Sequence, residues 1–375
     1  MRFSWTLVYA LFWIYRSLFS VIGQLFVAQL TSLGDSGRYQ AANITILTTD
    51  LPSDPVGWTR VMSTVLTESI GGVLHLMVGG NPILINIGFQ TIAFIGIVML
   101  LRALEPRQRI VVLLLAMLPS FSVWSSVAGK EAVVVFALGI VLARTVQIFQ
   151  GKTWLDMAFI PALCLVLIYK NQYAPALIYL LCAAVLLKRI RQKCTIALFA
   201  GFLSLLFLYL IHDSIGRMAL EVVPHFEGFG HSTRPIYFLD KDDVFTKAPY
   251  GMFQAFFGPT LEEASLGILH KASFVESSFI LIVLGYFFFR EFHRLPVFLV
   301  IVACFTLGWI LFGTYPLGIM NPGSAIRYRT GYELLVFVLI AVITSRHAYY
   351  TWQRTNSGRP FQASTLVIGP ATAAT

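Results

Sequence analysis

LPVFLVIVACFTLGWILFG, residues 295–313, runs without a single charged side chain. At 1.5 Å of rise per residue such a stretch makes a helix of about 28 Å, close to the ~30 Å hydrocarbon core of a bilayer. Its apolar residues are continuous rather than alternating, which fits a membrane helix and not a barrel strand. Comparable runs lie at about 5–30, 82–101, 110–126, 131–148, 154–169, 173–187, 194–212, 272–289 and 331–345. Composition agrees: 57% of residues are hydrophobic and 12% charged, against about 25% charged in soluble domains. The expected fold is all-α, a polytopic membrane helix bundle of about ten transmembrane helices. It forms a single domain over residues 1–351, with large periplasmic loops at 31–80 and 213–271. Within the first loop, residues 61–79 (VMSTVLTESIGGVLHLMVG) carry Glu68 and His75. Both are expensive in lipid, so this piece reads as a re-entrant or surface helix. The tail 352–375 is rich in Ser, Thr, Ala, Gly and Pro and reads as disordered and cytoplasmic. The N-terminal run lacks a clean small-residue cleavage site and reads as a retained first span.

Lys and Arg placement fixes the expected orientation. With the N-terminus inside and ten spans, fifteen basic residues fall on the cytoplasmic side, among them Arg102, Arg107, Arg109, Lys188, Arg189, Arg191 and Lys193. The acids with them are Glu105, Asp156 and Glu291. Both termini are therefore expected in the cytoplasm, and every long polar loop outside. The net charge of +9 resides in short inter-span loops and gives no indication of nucleic-acid binding. Cys164, Cys182, Cys194 and Cys304 lie in or beside apolar runs and imply neither a disulfide framework nor a metal site. No Gly-rich nucleotide loop, Walker motif or His-Glu-x-x-His occurs, so neither cofactor nor metal is called for.

The orientation makes four cations conspicuous. Lys130 sits in the tight turn Trp124–Ala132 and Lys170 in the tight turn Tyr169–Tyr173. Arg327 and Arg329 belong to Asn321-Pro322-Gly323-Ser324-Ala325-Ile326-Arg327-Tyr328-Arg329, which reads as a polar loop ahead of the last span. All four face outward, against the usual charge bias. Each is either a snorkelling anchor or part of an anion site; several cations at one depth suit a phosphate or pyrophosphate on a lipid. Glu333, four residues after Arg329, is placed to pair with it. Glu131 is either a helix-dipole carboxylate or a general base. Asp35, with Tyr39 close behind, is either a turn residue or a site acid. His75, His225 and His231 lack metal-ligand spacing. Arg16 is read as the one clear charge deep within a span.

Several segments carry a family resemblance. Pro119–Ser126 followed by Gly129-Lys130-Glu131-Ala132, the 321–329 stretch, and Gly34-Asp35-Ser36-Gly37-Arg38-Tyr39 resemble elements of bacterial O-antigen and exopolysaccharide polymerases of the Wzy and EpsG type. The chain departs from the EpsG pattern at Lys130, where that group carries Arg. The resemblance implies a GT-C-like, metal-independent membrane glycosyltransferase of the bacterial inner membrane. It would polymerise undecaprenyl-pyrophosphate-linked repeat units on the periplasmic face, in company with other polysaccharide assembly proteins. Lys130, Lys170, Arg327 and Arg329 would hold the pyrophosphate, Asp35 or Glu131 would act as base, and Tyr39, Tyr328 and Glu333 would support them. Loss of Arg327 or Arg329 would then abolish long-chain glycan. The alternatives are a single-sugar transferase using a lipid-phosphate donor, and a lipid-linked glycan flippase.

Overall fold

The computed structural model describes residues 4–30, 35–41, 55–150, 157–189, 192–227, 234, 237–291 and 295–344. His231 and the tail 352–375 lie outside the described residues. Among those described, regular structure is entirely helical. The principal helices are α1 (Trp5–Ile22, continued by a π turn at Gly23–Val27), α2 (Ser36–Gln40), α3 (Pro55–Val78) and α4 (Pro82–Ala103). They are followed by α5 (Pro106–Leu115), α6 (Pro119–Trp124), α7 (Lys130–Phe149), α8 (Phe159–Tyr169) and α9 (Ala174–Arg189). The chain continues through α10 (Lys193–Leu210), α11 (His212–Glu227), α12 (Ala248–Phe257), α13 (Ile268–Glu291), α14 (Val297–Gly318) and α15 (Pro322–Thr344). Among the described residues, seven helices are long and apolar enough to cross a membrane, or eight if the bent pair α8–α9 is one span. The chain is thus a multi-pass membrane protein by the length and composition of its helices.

α7 is the central helix, buried along most of its length, and α4 and α15 pack on it. The α4–α7 contact is very close. A Cβ on Gly96 would lie 2.4 Å from Phe136 O, and one on Gly139 2.4 Å from Gly96 O, so both positions need glycine. The two helices run parallel, since Ala128, just before α7, donates to Asn86 near the start of α4, and Gln150 donates to Ala103 O at the far end. That far end is the arginine-rich one. Arg109 stacks over Trp5 at 4.6 Å and caps the carbonyls of Leu101 and Leu104.

Three elements differ from the expectation. Residues 110–126 do not form one helix. α5 ends at Leu115, α6 starts at Pro119, and residues 125–129 run without helix to Gly129. Proline lacks an amide hydrogen and disfavours helical backbone at the residue before it; Leu118 accordingly has ψ 137°. The stretch 321–329 is not a loop. Asn321 accepts from the amides of Gly323 and Ser324, Pro322 occupies the first position, and α15 begins there. Finally, α3 is a continuous helix of 24 residues that qualifies as a span by length and hydropathy. Its contacts nevertheless lie at one end of the bundle. Ser63 and Thr64 meet Lys130, Thr67 meets Tyr169, Glu68 pairs with Arg38, and His75 Nδ1 sits 2.9 Å from Gln40 O. Over residues 63–75, about 18 Å of helix, α3 therefore lies across the bundle end where α7 begins and α8 finishes.

Candidate functional site

Lys130 and Glu131 open α7, just after extended Gly129. Lys170 follows α8 in a non-helical conformation, and there the α8–α9 pair bends by 115°. Arg327 lies in the second turn of α15, and Asp35 precedes α2. These four segments are far apart in sequence and meet at the bundle end crossed by α3. Glu131 Oε1 lies 3.2 Å from Arg327 Nε and 3.7 Å from Lys170 Nζ. Arg327 Nη2 reaches toward Asp35 Oδ2 at 3.7 Å. Lys130 Nζ donates to Ser63 Oγ at 2.9 Å and to Thr64 Oγ1 at 2.8 Å. Lys170 Nζ also stands over the Tyr328 ring at 4.6 Å. Tyr39 is buried beneath Asp35. Burial raises its phenol above the ordinary value, Asp35 adds to this, and Arg327 opposes it.

Three cations and two carboxylates leave this cluster one positive charge in excess. The two acids differ sharply in setting. The Glu131 side chain is 3% exposed and engaged by two cations, whereas that of Asp35 is 55% exposed and has only the longer contact. Glu131 thus fixes the positions of Arg327 and Lys170, while Asp35 remains open to a ligand.

Arg329 and Glu333 are not part of this cluster, which corrects their grouping with Lys130, Lys170 and Arg327. The reason is helical geometry. Two residues along a helix is a turn of about 200°, so Arg327 and Arg329 point to opposite sides of α15. Arg329 is fully enclosed. Its Nε lies 2.8 Å from Glu333 Oε1, the i,i+4 partner expected from sequence. Its Nη groups reach Phe256 O, Ser277 Oγ, Ser120 Oγ and Glu276 Oε1, the last at 3.4 Å. Glu276 also accepts from the Ser120 amide at 2.8 Å and from the Ser120 hydroxyl. Arg16 lies nearby, buried between the rings of Phe12 and Phe121, with Nη2 donating to Ser125.

Arg16 is therefore not the lone internal charge. Glu276 was readable in advance, as an acid inside the apolar run 272–289, and such residues carry functional weight by default. Ser63 and Thr64 carried no comparable signal, because two hydroxyls in a moderately apolar helix indicate no partner. Among the described residues no group of three or more His, Cys, Asp or Glu could hold a metal ion. Comparison of the chain with protein-family models, with curated proteins and with solved structures gave no match.

Proposed function

We propose that the chain is a metal-independent membrane glycosyltransferase that polymerises lipid-pyrophosphate-linked repeat units on the outer face of a bacterial inner membrane. The observation that carries this reading is the meeting of Lys130, Lys170 and Arg327 with Asp35 and Glu131 at one end of the bundle. Positive-inside bias supports an outward placement of that end, since the opposite end holds Arg102, Arg107 and Arg109. The likeness of the 34–39, 119–132 and 321–329 segments to Wzy- and EpsG-type polymerases supports the substrate class.

In this reading a hydroxyl of the incoming repeat unit attacks the anomeric carbon of the growing glycan. The bond from that carbon to the lipid pyrophosphate breaks, and the pyrophosphate leaves with the electron pair. Lys130, Lys170 and Arg327 neutralise the charge that develops on it. Asp35, exposed and loosely held, takes the hydroxyl proton. Glu131 keeps Arg327 and Lys170 in place beforehand, so the cations do not reorganise during the reaction.

One observation favours a second reading, a flippase for the same lipid-linked glycan. Transporters place broken helices and charges near the bilayer midplane, and the α5–α6 break lies beside Arg16, Glu276 and Arg329. A reconstituted assay with lipid-linked repeat units separates the two. Polymerisation gives a product ladder that is depleted about 10²-fold in Arg327→Ala; a flippase changes only sidedness. A full-length ladder from correctly inserted Arg327→Ala protein would overturn the proposal.

A further inference from the structure

The internal cluster holds two carboxyl groups, Glu276 and Glu333, on one guanidinium, Arg329. Counted from helix starts, they lie about 10–16 Å along α13 and α15, enclosed by the bundle. The two acids are not equivalent. Glu276 is served by the Ser120 amide and hydroxyl and by Arg329 Nη2. Glu333 is 0% exposed, and among the described residues neither of its carboxyl oxygens takes part in a hydrogen bond. Among the described residues its one ion-pair partner is Arg329, with Nε at 2.8 Å and no hydrogen-bond alignment.

The other polar groups facing the cluster do not restore the balance. Ser120 from α6, Ser277 from α13 and the Phe256 carbonyl from α12 are neutral. Tyr332 neighbours Glu333 on α15, and Tyr15 of α1 lies toward Glu276. Arg16 donates to Ser125 and makes no ion pair with either glutamate among the described residues. With both carboxyls ionised on the one guanidinium they share, the Arg329–Glu276–Glu333 group would carry a net negative charge in a low-dielectric interior, at a cost of several kcal/mol. An un-ionised carboxyl without a partner costs less. A water-sized ligand finds no room at Glu333, which is 0% exposed. A proton needs none.

We infer that Glu333 is a buried proton-binding site, protonated in the resting protein, so that Arg329 is shared as a neutral unit with ionised Glu276. This does not depend on the glycosyl-transfer reading. Infrared spectroscopy of the full chain in lipid bilayers at neutral pH tests it. A carboxylic acid C=O band should be present, shift with carbon-13 glutamate, and disappear in Glu333→Gln. It should also disappear in Glu276→Gln, where one carboxyl remains for one guanidinium and ionises. Asp35→Asn should leave it unchanged. Retention of the whole band in folded Glu333→Gln would overturn the inference. Should that variant fail to fold, the labelled wild type decides: a glutamic acid band supports the site, and its absence at neutral pH overturns it.

Discussion

Arg327 and Arg329 are two residues apart, and the structure gives them different work. Arg327 faces the site with 19% of its side chain exposed, while Arg329 is enclosed at 1%. Arg327→Ala should lower polymer formation by about 10²-fold, the usual effect of removing one preorganised charge-stabilising group, with normal insertion and Lys170 still facing Glu131. Arg329→Ala should instead lose stability, by roughly 3–5 kcal/mol, because it strands a buried carboxylate; thermal unfolding in detergent would show this as a sharply lowered Tm. Asp35 and Glu131 divide in the same way. Asp35→Asn should cut turnover by about 10²–10⁴-fold, as expected for loss of a general base, and leave folding intact. Equal turnover in Asp35→Asn and wild type would remove Asp35 from the mechanism.

At the scale of elements, two features shape the site. The first is the parallel pair α4–α7, joined at Gly96–Gly139; the residues leading into α7 pack on α1 and α2, where Ser20 donates to Ser126 O and Ser36 to Ala128 O. Gly139→Leu places side chain against the Gly96 backbone and should cost on the order of 1–3 kcal/mol or more, with loss of folded protein in size-exclusion chromatography. The second is α3. Its length and hydropathy qualify it as a span, while its contacts over residues 63–75 lie at one bundle end. Its Ser63 and Thr64 hydroxyls hold Lys130, so α3 helps to set where that cation points. The break at Pro119 could be read from the proline alone. The helical start of α15 was also legible, because Asn-Pro-Gly-Ser supplies a cap and a proline for the first turn as readily as it supplies a loop.

For the whole molecule, charge is sorted by end: arginines ringed by Trp5 and Tyr9 at one, the mixed cluster at the other. The polar segment after α10 is locked to α14 by Arg234, which donates to Gly318 O and Ile319 O and pairs with Glu263. Burial alone would push the Glu263 carboxyl up. Its hydrogen bonds with Arg234 and with the Thr260 amide outweigh that and hold it below the ordinary range. A carboxyl depressed in the folded state contributes stability that is complete above its unfolded value of about 4.3. The contribution is lost as pH falls through the folded value. Tm should therefore drop on acidification below about pH 4, and Glu263→Gln should lower Tm at neutral pH while flattening that acid limb. An unchanged acid limb would show that the pair does not hold this segment.

The sequence by itself determined that the chain is a bundle of apolar helices and that its Lys and Arg divide between two sides. Hydropathy and charge bias act locally, segment by segment, so both can be read along the chain. It also singled out Asp35, Lys130, Glu131, Lys170 and Arg327 individually. Only the tertiary structure decided that these five come from four separate segments to one place, and that Arg329 goes elsewhere with Glu276 and Glu333. Which way a helical side chain points depends on where the helix begins and what packs on each face. Asn321 set that start for α15, and the packing of α6, α12 and α13 on its other side drew Arg329 inward.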